Sequence, residues 1–576
     1  MDILFPRRLL FRDLFTSESF DCYDAFGHGP FQRRLLLLCT IAPFLFNVHD
    51  FVFRLILRDV DYWCKVPAPP PHSNISAVEW RGLFLPEEPD GKLSRCRRYK
   101  SLEEQNGTTP ETILCEEWEY GDDDEPARIS AVSDWNLVCQ RDTLIVVMVA
   151  VHCFGSCVFS AAAGSLADSV GRMPVLLVGT AVLVVSTVIG CLSRSFHAFV
   201  AAKFFSSGGV SAVMITAVTS VFEVTTRSNR PLQIIFAGML GVLFSDMWDA
   251  TVGPVKIGWT LRHAVYMLPT ALMLPAFCVA SESPRWLIAR GRFKDAEVVM
   301  MNAAAVNHFP MHCTALTIDK LKAQLIRNEV RLPSIDQEMF NGYSMRRRAL
   351  VLSLSYFSIT FAAFVSAFSL VRRKESWLDH VSFTMNIVCY AVMDRLITRF
   401  SMVTVLNIWF MTLGALQCLL SLAFGVGGGA VCPILIMVTI ALFYSGSMLC
   451  LVYVQEIFPT AVRGSAVGLV FACGRLGGLS AIAGWAFQRA GRSDLGHAAA
   501  AILLLASMFA HDALPRATKV ECAKMEYNRA PAMSKHTMNF VKRTPESSIH
   551  DTSKGRTSAE SPRSTTSSRG HNSSHN

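Results

Sequence analysis

Arg475 interrupts an apolar run from 464 to 487, in the stretch Arg475-Leu476-Gly477-Gly478. On insertion scales an unpaired guanidinium at mid-run costs about 2.5 to 3.5 kcal/mol, so this one must face water or a partner. It is a candidate ligand-binding cation. The competing account is an internal ion pair with an acid of the chain. Asp246 and Asp249 supply such acids, three positions apart and so on one face of the apolar run 232 to 253. They can bind a cation, neutralise Arg475, or sit wet near the outer mouth. Tyr356 stands beside a stripe of Phe357, Phe361, Phe364 and Phe368 at helical spacing in the run 349 to 370. Such a stripe can wall a site for a flat amphipathic ligand, or face lipid and neighbouring helices. For the single polar residues His152 and Lys203, local hydrogen bonding and snorkelling suffice.

A second set of charges sits between apolar runs. Asp168 and Arg172 lie four apart in AAAGSLADSVGRMPVLLV, and Asp394 with Arg395 and Arg399 follows at an offset of 226. Glu223 and Arg230 recur as Glu456 and Arg463, both at an offset of 233. Matching charges at matching ends are the mark of a transporter built from repeats. Gly164 allows close backbone approach, Asp168 can accept from amides at a neighbouring helix N-terminus, and Arg172 can bridge to a carboxylate. Together they read as a latch that makes and breaks while two halves rock.

The elements that hold these residues follow from composition. The chain has 576 residues, 51% hydrophobic and 17% charged, with a mean hydropathy of +0.34, too oily for a soluble domain. A helix needs about 20 apolar residues to span a bilayer. Such windows fall at 33–57, 142–163, 175–192, 197–222, 232–253 and 260–280, then 349–370, 378–393, 401–421, 431–455, 464–487 and 497–513. The expected fold is an all-α membrane protein of twelve helices in two six-helix halves.

Basic residues set its orientation, with Arg372, Arg373 and Lys374 the exception. Residues 1–32 form a cytoplasmic N-terminus without a cleavable signal, 33–280 the first half, 281–348 a cytoplasmic linker, 349–513 the second half, and 514–576 a cytoplasmic, largely disordered tail. Within the linker, 294–305 and 318–330 read as short amphipathic helices. Ser561 in the tail precedes a proline and is a phosphorylation candidate. The extracellular loop 58–141 carries Cys64, Cys96, Cys115 and Cys139, with sequons at Asn74 and Asn106. Four cysteines allow three pairings, and all three stay open. The sequon at Asn572 falls on the inside and should stay unmodified. Phosphate loops, zinc motifs and nucleophile elbows are not found, so the expectation is no enzyme, cofactor, metal or nucleic acid.

At Gly164, Leu166, Asp168, Gly171 and Arg172 the chain resembles the major facilitator superfamily. The run from Glu282 through Arg285 to Arg292, ESPRWLIARGR, resembles the signature of the organic cation, organic anion and carnitine transporters. FGHGPFQ at 26–32, DYWCKVP at 61–67, SDWNLVC at 133–139 and VYVQEIFPTAVRGSAVG at 452–468 extend the likeness over roughly residues 20–515. The resemblance implies a plasma-membrane carrier of small amphipathic organic ions. It also implies a carboxylate-bearing substrate, because the anion and carnitine branches carry arginine where Arg475 stands and the cation branch carries aspartate. Ile397 and Thr398 replace the expected glycine and basic residue of the second turn. The acidic residue and proline of the eighth segment are missing, and LPRATK at 514–519 lacks a glutamate. A non-transporting sensor, scaffold or partner subunit is the alternative.

Overall fold

Hydrocarbon offers the backbone no hydrogen-bond partner, so apolar runs of this length must satisfy their amides internally, as helices. The computed structural model describes residues 25–57, 60–68, 75–88, 91, 93–100, 111–121, 130–226, 230–255, 257–327, 343–370, 377–427, 431–482 and 492–514. Among them the crossing helices are α1 (Pro30–Ile56), α2 (Thr143–Ser169), α3 (Arg172–Leu192), α4 (Phe196–Val224), α5 (Arg230–Val252) and α6 (Trp259–Met267). The second six are α7 (Tyr343–Leu370), α8 (Trp377–Arg399), α9 (Met402–Gly425), α10 (Val431–Ile457), α11 (Arg463–Ser480) and α12 (Ser493–Ala510).

Nine of the twelve are long and apolar enough to cross a membrane by themselves, among the described residues. The other three have identifiable reasons. Past Met267, α6 tightens into a 3-10 turn at Leu268–Met273 around Pro269, and a short turn at Ala276–Val279 follows Pro275. Charges at Asp394, Arg395 and Arg399 lower the hydropathy of α8, and Arg463 and Arg475 do so for α11.

The ends of α2 and α8, both later than the sequence expectation, differ from each other for one cause. α2 ends at Ser169, where Gly171 turns the chain with φ +127°, a conformation that favours glycine. The equivalent position in the second half is Ile397, whose branched side chain disfavours that turn, so α8 stays helical to Arg399 rather than ending at 393.

Between α1 and α2 lies a small disulfide-tied region. β1 (Tyr62–Cys64) pairs antiparallel with β4 (Trp118–Tyr120), and β2 (Arg97–Tyr99) pairs with β3 (Thr112–Leu114). Cys64 joins Cys115 and Cys96 joins Cys139, one of the three pairings open from sequence. Asn74, Asn106, Arg372 to Lys374, Ser561, Asn572 and the tail from 515 lie outside the described residues.

The linker folds into helices at Pro284–Ala289, Phe293–Val306 and Met311–Arg327, the last starting earlier than its amphipathic run suggests. They build a small separate core with Phe26, around Trp286, Leu287 and Met300. Asn307 ties this core to the start of α1. Its Oδ1 accepts from the Phe31 amide at 2.9 Å, and its Nδ2 donates to the Phe26 carbonyl at 2.9 Å and to Gln32 at 3.0 Å.

Among the described residues, four helix pairs join the first six helices to the last six: α2 with α11, which is by far the most extensive, α5 with α8, α5 with α10, and α4 with α11. Small residues let α2 and α11 approach until backbones touch. A Cβ on Gly164 would overlap the Gly464 carbonyl and come within 2.9 Å of the Gly468 Cα. Gly164→Leu is therefore expected to cost at least the ~1 to 3 kcal/mol of ordinary overpacking. The neighbouring Ser165 is exposed, and Ser165→Leu should leave thermal unfolding in detergent nearly unchanged. Equal melting of the two variants would contradict the close contact.

Candidate functional site

Arg475 lies in the wall of a small cleft, together with Asn47, Tyr356, Thr360, Ser447 and Phe471. Its guanidinium carbon sits 4.1 Å over the Phe46 ring and 5.4 Å from that of Phe471, an aromatic sandwich that favours a cation. Asp50 of α1 accepts its Nη1 at 2.8 Å through Oδ2, while His152 of α2 holds Oδ1 at 3.0 Å. Arg475, Asp50 and His152 thus form one chain across three helices. The internal ion pair exists, but its acid comes from α1 and not from α5.

Asp246 and Asp249 instead line a second small cavity with Arg54, Phe51 and Tyr266. Asp246 accepts from the Asn386 amide at 2.8 Å. Tyr444 borders both cavities, the one that Arg475 lines and the one that the acidic pair lines. Neither aspartate neutralises Arg475.

Of the aromatic residues, Tyr356 alone of the four site candidates lines the cleft, lying over Gly474 where a Cβ would strike its ring. Phe357, Phe361 and Phe364 do not. The Phe357 backbone and the Phe364 ring rest on Gly477 and Gly478, and Phe357 stacks on Phe361 at 6.4 Å. The glycines of α11 form a shelf that the stripe packs against, so helix packing explains it. Lys203 does not snorkel: it is buried, with its ammonium 5.3 Å from the Phe199 ring and 5.9 Å from that of Phe53.

At the other end of α2, a fully buried charge cluster crosses between the halves. Asp168 caps the start of α11, accepting from the amides of Gly464 at 3.0 Å and Ser465 at 2.6 Å. Arg172 lies 3.2 Å from Asp168 and donates to Glu223 at 2.9 Å and to the Thr460 carbonyl at 2.8 Å. Arg463 reaches Glu223 from the second half at 3.1 Å. Arg230 donates to the Thr225 carbonyl at 3.2 Å and lies over the Phe222 ring at 4.2 Å.

The linker signature closes this cluster from beneath. Trp286 Nε1 and Arg290 Nε donate to the Asp168 carbonyl at 2.9 and 3.0 Å, satisfying a last-turn acceptor of α2. Arg285 is buried in the same short helix. Glu282 accepts from the amides of Arg172 at 2.9 Å, Met173 at 3.3 Å and Ser283 at 3.0 Å, against the start of α3. Burial pushes its carboxyl above the ordinary value, while these amides pull the other way. A Cβ on Gly171 would collide with that carboxylate.

The second copy of the motif is not assembled. Asp394, Arg395, Arg399 and Glu456 are exposed and form no ion pair among the described residues. Two substitutions account for this. The position equivalent to Gly464 is Pro231, which has no amide hydrogen to give Asp394. The position equivalent to Arg172 is Thr398, so a buried Glu456 would have no guanidinium and stays in solvent. Arg463 consequently pairs with Glu223 across the halves rather than with Glu456.

A model described as "Sugar (and other) transporter" matches residues 93–511. The chain belongs to that family. Within it, the chain is one of the organic cation, organic anion and carnitine transporters of the major facilitator superfamily. It is 24% identical over 481 residues to solute carrier family 22 member 7 of Rattus norvegicus, covering 78% of this chain and 86% of the relative. It is 26% identical over 471 residues to human solute carrier family 22 member 13, covering 78% and 82%. It is 24% identical over 502 residues to human organic cation/carnitine transporter 2, covering 78% and 83%. In fold it is similar to the proton:xylose symporter XylE, with TM-score 0.58, 15% identity, and 83% and 94% coverage. This transporter is a multi-pass membrane protein and no enzyme.

Asp50 is a site residue that motif reading passes over; His152, read as a locally bonded polar residue, reaches across to Asp50 of α1, and Trp286 and Arg290 of the ESPRWLIARGR signature were given no individual role. A signal for Asp50 was present, since it is an acid inside the apolar run 33–57. Removing one member of a buried ionic cluster leaves the others uncompensated, at a cost of about 3 to 5 kcal/mol. Glu223→Gln is expected to lose about that much in unfolding experiments, and Glu456→Gln less than about 0.5 kcal/mol, as for exposed substitutions. Similar losses in both would mean that Glu456 is buried after all.

Proposed function

We propose that this secondary transporter carries amphipathic organic ions bearing a carboxylate, anionic or zwitterionic, across the plasma membrane by alternating access. The observation that carries the reading is Arg475, a guanidinium in the wall of an aromatic cleft whose ionic partner is a single, partly exposed aspartate. A substrate carboxylate can take the place of Asp50 on that guanidinium. A zwitterion has a second point of attraction in the other cavity that Tyr444 borders, at Asp246 and Asp249. The names of the relatives, which include an organic cation/carnitine transporter, agree with a carrier of this class.

Rocking of the halves about the cleft requires the cluster at Asp168, Arg172, Glu223 and Arg463 to part, which makes it the latch in this reading. The latch, the linker helices and both termini face the cytoplasm, and the disulfide-tied region faces outward, because basic residues gather at the latch end.

A second reading rests on the acidic pair, which can dock an organic cation in the outer cavity. A third rests on the unassembled second copy of the turn motif and makes the chain a non-transporting member. Uptake in cells at equal surface expression separates them, with labelled hippurate, L-carnitine and tetraethylammonium as probes. Wild-type uptake of hippurate or L-carnitine should fall at least about tenfold in Arg475→Ala, the equivalent of about 1.4 kcal/mol. Tetraethylammonium uptake that survives Arg475→Ala and fails in Asp246→Asn would replace the first reading by the second. Silence across the panel would favour the third.

A further inference from the structure

We propose that the transporter moves one proton with each substrate carboxylate, seated on the Asp50 and His152 pair. This rests on the reading that Arg475 receives the carboxylate. In the unliganded arrangement Arg475 and Asp50 neutralise each other at 2.8 Å, and His152 occupies the other Asp50 oxygen at 3.0 Å. The side chains of Arg475 and His152 are 5% and 3% exposed and that of Asp50 is 16% exposed. A carboxylate that settles on Arg475 takes the contact Asp50 had, leaving two carboxylates for one guanidinium in a site largely closed to water.

Neighbouring like charges cannot both stay ionised cheaply, and a surplus charge at this depth is strongly disfavoured. One proton from the entry side restores a neutral site. His152 has room for it in a specific sense: its Nδ1 is buried without a hydrogen-bond partner among the described residues, while Nε2 stays on Asp50. The proton therefore enters through the imidazole or rests on the Asp50 carboxyl, and in both forms the pair gains a single positive charge. On the far side the carboxylate leaves, Asp50 returns to Arg475, and the proton is released. An anion then crosses with no net charge, and a zwitterion crosses with one positive charge.

Asp50 is the carboxylate that the arriving charge displaces from Arg475, and His152 is the titratable group bonded to it. Facing the pair are Arg475 from α11, Cys153 from α2, Tyr356 from α7 and Tyr444 from α10. Lys203 from α4 acts on His152 and on His49, the chain neighbour of Asp50. None of these is a second carboxylate. Asp246 and Asp249 belong to the outer cavity.

The test uses the full chain in proteoliposomes with labelled hippurate and protein-free vesicles as the blank. An inward proton gradient of one unit changes proton concentration tenfold, so wild-type initial uptake at low hippurate should rise about three- to tenfold. A protonophore should abolish the rise, and adding hippurate should alkalinise the medium. Asp50→Asn mimics the protonated state, and its remaining uptake should ignore the gradient. His152→Gln is a second variant that leaves the Arg475 and Asp50 pair in place, and it should weaken the gradient response. Hippurate uptake that needs Arg475 yet ignores the gradient and leaves the medium unchanged would overturn proton coupling alone. Uptake that does not need Arg475 would overturn the carboxylate reading, and this proposal with it.

Discussion

A carboxylate taken out of water must be given partners, and at Asp168 that requirement organises one end of the molecule. The residue is fully buried, and two separate parts of the chain meet at it. Its side chain holds the amides that open α11, while its carbonyl holds Trp286 and Arg290 of the linker. A helix start without a partner for its amides and a helix end without a partner for its carbonyls are both unfavourable when buried. Asp168 removes one problem with its side chain and the other with its backbone. The linker core is fixed in turn to the start of α1 through Asn307, so the N-terminal motif and the signature after α6 are parts of one support under α2.

The same requirement operates at the cleft with a different outcome. Arg475 has one carboxylate and two aromatic rings, and that carboxylate is shared with a histidine. At Asp168 every oxygen is engaged by groups that a small ligand cannot reach. Around Arg475 the walls include open space beside Asn47, Thr360 and Ser447. One arrangement is closed by its own chain, and the other leaves a position that a ligand can contest.

Sequence made the helix pattern legible because its signal is redundant: each crossing helix is a run of apolar residues whose meaning survives the loss of any one of them. The contacts of Gly164, Asp168 and Arg172 were legible because a short turn leaves few places for their side chains to go. The partner of Arg475 was not, since α1 and α11 are separated by most of the chain and nothing in spacing tells Asp50 from Asp246. The phenylalanine stripe misleads for a related reason. Periodicity states that Phe357, Phe361 and Phe364 share a face, but only the position of the α11 glycines states what that face meets. Repeat offsets failed at Glu456, because offsets compare one half with the other and Arg463 spends its charge across them.

The cross-half cluster is built so that parting it leaves few orphans. In the proposed alternating-access reading, withdrawal of α11 from α2 leaves Arg172 beside both Asp168 and Glu223 within the first half. Arg463 departs with its own acceptors, the Gln455 carbonyl at 3.0 Å and the Thr460 hydroxyl at 2.9 Å. The groups that lose partners outright are two amides at the start of α11 and one carbonyl at Thr460, all of which entering water can satisfy. Counting the charges of the cluster, two carboxylates and one guanidinium stay on the first half, and one guanidinium leaves with the second. The separated faces thus carry opposite charge and attract each other, so separation is opposed by attraction but not by stranded buried ions. Without Arg at 398 and with Pro at 231, the second copy contributes nothing to this balance, and the attraction acts between α11 and the α2 and α4 side of the first half.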